Sequence, residues 1–208
     1  MGKVVARFNL HMFSVVIVTG GKDAVESVEL LYTNGTHRCS LPDLPQGRYY
    51  PTQVGLVTCG STDDAQTQIK SCVTFSDGSW KKSHTLAGGG RAGTVGWASP
   101  QGVLLLGGWT GAPHSSTTEL LLENGNTKPG FRLAYKTYAA CSIEEEESVV
   151  ITGGYDGHQP HGNNKKVTKY HMDGNSKPLP NLISGRYWHA CGLFINANGD
   201  IVSCSLIF

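Results

Sequence analysis

Apolar residues in this chain gather in runs of four or five, and each run stops at glycine. Val15-Val16-Ile17-Val18-Thr19 ends at Gly20-Gly21, and Leu56-Val57-Thr58-Cys59 ends at Gly60. Val103-Leu104-Leu105-Leu106 ends at Gly107-Gly108, and Val149-Val150-Ile151-Thr152 ends at Gly153-Gly154. None alternates apolar with polar positions, so each predicts a strand buried on both faces. A further strand follows each: Val28 to Tyr32, Ser71 to Phe75, Thr118 to Leu122 and Lys166 to Tyr170. Asn34-Gly35, Asp77-Gly78, Asn124-Gly125 and Asp173-Gly174 then predict type I′ hairpins into a more polar outer strand. A fifth run, Ile201 to Ser205, has the same shape with its glycine lost.

Taking Gly21, Gly60, Gly108, Gly154 and Ser205 as equivalent, the spacings are 39, 48, 46 and 51 residues. A recurrence of about 45–50 residues built only of strands predicts a β-propeller array rather than a single-core domain. Each cycle opens on a basic residue: Arg7, Arg48, Arg91, Lys136 and Arg186. Counted from these, the blades span about 7–47, 48–90, 91–135 and 136–185, with a partial blade at 186–208. Two strands with nothing to complete them read as part of a larger ring.

The repeating elements resemble the kelch repeat. They are an apolar strand, Gly-Gly, a variable loop, a Val28-Glu29-x-x-Tyr32-like strand, a turn, Leu-Pro as in Leu41-Pro42 and Leu179-Pro180, then a basic residue with an aromatic. The resemblance covers nearly all of residues 7–208. It departs where tryptophan appears in the outer strand only as Trp80, where Gly60-Ser61 replaces a doublet, and where Lys136 stands for arginine. It implies an all-β, kelch-type propeller of four four-stranded blades plus a C-terminal half-blade. It also implies roles such as substrate recognition for a cullin ubiquitin ligase or attachment to actin.

Charged residues are 16 % of the chain against about a quarter in ordinary soluble proteins, and there are 27 glycines. With 39 % apolar residues, this is a turn-rich globular composition and not a disordered one. Net charge is +1 and Lys81-Lys82 and Lys165-Lys166 are the densest basic groups, which excludes a track for nucleic acid. No apolar run approaches a membrane span. The opening Met1 to Val18 is broken by Arg7, Asn9 and His11 and repeats internally, so it reads as a repeat strand and not a signal peptide. Ala6 stands where a myristoylation motif wants Ser or Thr.

Cys39, Cys59, Cys72, Cys141, Cys191 and Cys204 form no C-x-x-C. Cys141 and Cys191 fall at matching places in two cycles, which predicts small buried apolar residues with reduced thiols. The expected compartment is therefore the cytoplasm. Asn34-Gly35-Thr36 is a glycosylation sequon only in a secreted protein.

Gly88-Gly89-Gly90-Arg91-Ala92-Gly93 satisfies G-x-G-x-x-G, but no helix pattern follows it, so it reads as a connection between blades. His158, His161, His171 and His189 lack a completing carboxylate or cysteine at metal-ligand spacing, and Glu144 to Glu147 reads as a solvated hairpin tip. No catalytic residue, metal or cofactor is expected. The candidate partner-binding set lies in the loops after the glycines and before the first strands: Arg48, Tyr49, Arg91, Trp109, His114, Tyr138, Tyr155, His158, Arg186 and Tyr187. Exposed Arg, Tyr and Trp favour protein interfaces. The expected function is non-enzymatic binding of a protein or peptide, with no nucleic-acid or membrane partner. The alternatives are a galactose-oxidase-like copper enzyme and a secreted carbohydrate-binding propeller.

Overall fold

Each of the four complete predicted cycles folds into one antiparallel sheet whose strands pair in the order in which they occur. The structure, a computed structural model, describes residues 4–10, 13–21, 25–32, 37–63, 67–111, 114–145, 147–158 and 162–192. The first blade holds β1 (Val4–Leu10), β2 (Phe13–Thr19), β3 (Val28–Tyr32) and β4 (Arg38–Leu41). The second holds β5 (Thr52–Val54), β6 (Val57–Cys59), β7 (Ser71–Ser76) and β8 (Ser79–Thr85). The third holds β9 (Val95–Ser99), β10 (Gly102–Leu106), β11 (Thr117–Leu121) and β12 (Thr127–Arg132). The fourth holds β13 (Cys141–Glu144), β14 (Ser148–Thr152), β15 (Val167–His171) and β16 (Ser176–Leu179). Among the described residues there is no helix, and the four sheets form the ring of a four-bladed β-propeller. The Asn34-Gly35 turn, Glu146, His161, Cys204 and the strand at 201–205 lie outside the described residues.

The apolar clusters sit between blades. Ile17, Val28 and Leu44 of the first cycle meet Val73 of the second. Cys59, Cys72 and Leu86 meet Leu105 and Leu121. Trp97, Leu104, Leu106, Leu120 and Leu133 meet Val149, Ile151 and Tyr170. In the second and third blades the second and third strands are therefore covered from both sides, which is why their sequences do not alternate. Trp80 caps the first interface, packing on its cluster and donating its indole N–H to the Pro42 carbonyl at 2.8 Å.

Each glycine pair lets the chain leave the second strand under the next blade's backbone. Gly20, Gly60, Gly107 and Gly153 have φ between +59° and +68°, where L side chains are disfavoured. A Cβ at Gly20, Gly107 or Gly153 would stand 2.5–2.6 Å from the carbonyl oxygen of Arg48, Thr137 or Arg186, and one at Gly60 would overlap that of Arg91. Ser61, where the doublet is eroded, still adopts φ +107°.

Those same contacts correct the register in the fourth blade. Gly21, Ser61, Gly108 and Gly154 donate their amides to the carbonyls of Arg48, Arg91, Thr137 and Arg186. Thr137, and not Lys136, therefore occupies the arginine place. The shift of one residue means that Cys141 and Cys191 are not equivalent positions. They face one another instead and form a disulfide, as do Cys59 and Cys72, partners directly across β6 and β7. The expectation of reduced thiols fails for these four, and among the described residues only Cys39 is free.

The hairpin turns also split. Asp77-Gly78 has φ +50° and +75°, as a type I′ turn requires. In the third and fourth blades only Gly125 and Gly174 have positive φ. There Asn124 and Asp173 instead accept the amides of Asn126 and Asn175 at 3.1 and 2.9 Å, so the side chain stabilises a wider turn.

Candidate functional site

The connections between blades and the loops after the glycines meet at one end of the propeller. Short backbone bridges join Ala92 to Trp109 and Tyr138 to Tyr155, and the Tyr49 amide donates to the Thr62 carbonyl. Two residues beyond each arginine place, a chain of bonds runs round the centre. The Gly93 amide donates to Tyr50, Ala139 to Gly93, and Trp188 to Ala139, at 3.2, 2.9 and 2.8 Å. Gly93, Ala139 and Trp188 each adopt φ of +52° to +56° to make this possible. For Trp188 that conformation is unusual and is held by the interlocked backbone.

This framework brings seven aromatic rings into one continuous path. Tyr49 neighbours Tyr50 at 6.3 Å between centroids, Tyr50 neighbours Trp188 at 4.9 Å, and Trp188 meets Tyr138 edge-on at 5.1 Å. Tyr138 stacks on His114 at 5.3 Å, His114 meets Tyr155 edge-on, and Tyr155 lies 5.4 Å from Tyr187. Such offset and edge-on pairs suit the quadrupoles of the rings. Tyr187 and Trp188 keep 42 % and 40 % of their surface exposed. The Tyr138 phenol is pushed above its ordinary range by burial, with Tyr50 and Tyr187 adding to the effect, so it stays neutral.

Beside this path lies a cleft of about 310 Å³ lined by Trp109, Gly111, His114, Lys136, Asp156 and His158. Trp109 is half-buried, its indole N–H donating to the Gly111 carbonyl. Burial holds His114 below the ordinary imidazole value, opposed by Asp156 and reinforced by Lys136. His158 is exposed, with Nδ1 3.0 Å from Asp156 Oδ1. Burial raises the Asp156 carboxyl, but the backbone and side-chain hydrogen bonds from His158 outweigh it and leave the group below its usual value. Among the described residues no three His, Cys, Asp or Glu side chains converge to hold a metal ion.

The arginines part company. Arg48 is fully buried, donating from Nη1 to the carbonyls of Gly60 and Ser71 at 2.5 and 2.9 Å and from Nη2 to Ser71 Oγ at 2.8 Å. Burial lowers its guanidinium to about 10. Arg91, 2 % exposed, reaches the carbonyls of Gly107 and Thr117 in the same way and pairs with buried Glu119 at 3.4 Å. Both brace a blade against the connection that precedes it, and neither offers its side chain to a partner. Thr137 does the same more weakly, its hydroxyl 3.4 Å from the Gly153 carbonyl. Arg186 alone of the set is exposed, with Nε at 3.5 Å from the Ser184 carbonyl.

Of the sequence-derived set, the structure thus gathers Tyr49, His114, Tyr138, Tyr155 and Tyr187 into the ring path, and Trp109 and His158 into the cleft. It withdraws Arg48 and Arg91. Tyr50 and Trp188 were missed. Their signal is the aromatic two places after an arginine, present in Arg48-Tyr49-Tyr50 and Arg186-Tyr187-Trp188.

No protein-family model and no curated protein matches the chain. Solved structures do share its fold. One, described as "Structure of YjhT", superposes with a TM-score of 0.71 at 12 % identity, covering 89 % of this chain and 67 % of that one. At that identity the likeness establishes the propeller fold alone.

Proposed function

We propose that the chain is a binding module that engages a protein or peptide through its loop face, with Tyr187 and Trp188 as anchors. The supporting observation is the seven-ring path on the loop face, in which these two side chains stay exposed. Large aromatic surfaces with polar tips carry disproportionate binding energy at interfaces. Selection of a displayed peptide library on the whole chain, with counter-selection on the Tyr187→Ala/Trp188→Ala variant, tests the reading. Peptides that lose at least about tenfold in affinity for the variant support it. Peptides that bind both proteins equally overturn it.

The disulfides Cys59–Cys72 and Cys141–Cys191 favour maturation in an oxidising compartment, which weighs against a cullin-adaptor or actin role in the cytoplasm. Denaturation without reductant should leave these four cysteines unreactive to alkylation, and labelling of all four would restore the cytoplasmic reading. The disulfides also keep carbohydrate binding as a second reading, since exposed aromatic faces stack on sugar rings as well as on side chains. Binding on a glycan array that is lost in Trp188→Ala would select it. The copper-oxidase alternative needs a cysteine cross-linked to tyrosine. Among the described residues only Cys39, on the outer strand β4, is unpaired.

A further inference from the structure

We propose that Cys141–Cys191 is a thiol–disulfide exchange site that pins the aromatic patch, and that its reduction releases Tyr187 and Trp188 from their packing on the loop face. This rests on the loop face as the binding surface and adds to it a control. The two disulfides differ in access. Cys59 and Cys72 are 1 % and 0 % exposed inside an inter-blade cluster, whereas Cys141 and Cys191 are half-buried. An attacking thiolate must reach a sulfur of the bridge, so only the second pair is open to exchange without unfolding.

The segment that this bridge secures is the weakest-anchored of its kind. Leu44, Leu86 and Leu133 bury fully ahead of the earlier connections, whereas Leu182 in the same place is half-buried. Arg48 and Arg91 are sunk in carbonyl oxygens, whereas Arg186 faces solvent. Residues 186–192 are held by the Gly154–Arg186, Arg186–Asn164 and Trp188–Ala139 backbone bonds at 2.8, 3.2 and 2.8 Å, by His189 Nε2 at 2.8 Å from Thr152 Oγ1, and by the ring contacts of Tyr187 and Trp188. Residues 190–192 form no strand with β13. The covalent link to Cys141 fixes Cys191, three residues beyond Trp188.

In the exchange, one thiolate of a dithiol reductant attacks a sulfur of the pair and expels the other as a thiolate. The second thiol of the reductant then attacks the mixed disulfide. Two electrons and two protons pass from the dithiol, which closes to its own disulfide, and Cys141 and Cys191 are left as thiols.

The test is graded dithiothreitol on the full chain, followed by alkylation, peptide mass spectrometry and acrylamide quenching of tryptophan emission. Cys141 and Cys191 should be labelled at reductant concentrations at least about tenfold below those that label Cys59 and Cys72. Quenching should rise in step, and the rise should be absent in Trp188→Phe. The Cys141→Ser/Cys191→Ser variant should show the raised quenching without reductant while melting cooperatively. If that variant does not fold, partial reduction of the wild type decides alone. Simultaneous opening of both bridges, or selective opening with the quenching of Trp188 unchanged, overturns the proposal. Because the readout is Trp188 itself, failure to find any peptide ligand leaves this result standing.

Discussion

Arg48 Nη1 lies 2.5 Å from the carbonyl oxygen of Gly60, twelve residues on, while the Arg48 carbonyl itself accepts the amide of Gly21 from the preceding blade. One residue thus ties two blades together, by backbone on one side and by guanidinium on the other. Arg48→Ala should strand the Gly60 and Ser71 carbonyls in a dry interface and cost about 3 kcal/mol or more. Arg48→Lys should recover little, because an ammonium cannot reproduce the planar fork. Arg186→Ala, at the same place in the repeat but solvent-exposed, should stay within about 0.5 kcal/mol of wild type. Denaturant melts of the three variants check this, and equal losses at Arg48 and Arg186 would remove the brace from the account.

Glycines of positive φ should not be equally intolerant. Gly78 at a hairpin tip has nothing within 4 Å of a built Cβ, so Gly78→Ala should cost about 1 kcal/mol from backbone strain alone. Gly107→Val and Gly153→Val add a clash with the carbonyls of Thr137 and Arg186 and should abolish a cooperative melt. Unaltered thermal transitions in both valine variants would contradict the repeat assignment.

Loop-face substitutions should separate binding from stability. Trp188→Ala and Tyr187→Ala remove exposed surface and should leave the melt within a few degrees while lowering ligand affinity at least about tenfold. Tyr155→Ala should be less clean. Its ring is wedged against Gly162, His114 and Tyr187, so stability should fall with binding. Calorimetry alongside a binding titration distinguishes the two classes.

Stability should decline on mild acidification. Burial lowers the imidazole values of His114 and His189, the latter with help from Arg186. The unfolded chain therefore binds protons first, near pH 6.5, and the folded state loses ground as pH falls below that. Melts at pH 7.5, 6.5 and 5.5 should show a progressive drop, reduced in His189→Gln. A flat profile over that window would mean that neither ring is shielded.

The repeat was legible because its determinants are local. An apolar run with a glycine exit and an Asx-Gly turn each act within a few residues. What stayed hidden depends on contacts between residues distant in sequence. Reading Lys136 as the arginine replacement follows from matching charge, but the place is defined by a carbonyl that receives the Gly108 amide, and that carbonyl belongs to Thr137. The same slip made Cys141 and Cys191 look equivalent when they are partners. Arg48 and Arg91 looked like ligand contacts because arginine is usually exposed, and only carbonyls further along the same cycle, those of Gly60 and Ser71 for Arg48 and of Gly107 and Thr117 for Arg91, reveal a buried site for them.

The placement of apolar clusters at the seams fixes where the polypeptide can be interrupted. Opening the chain at the Asp77-Gly78 or Asn124-Gly125 tip severs a peripheral hairpin and spares every seam, so new termini or an inserted domain belong there. A cut at 86–91, between two whole blades, would lay Cys59, Cys72 and Leu86 open to water on one side and Leu105 and Leu121 on the other. The indivisible unit of this architecture is a pair of half-faces from neighbouring sheets, so a single excised blade should not hold its shape.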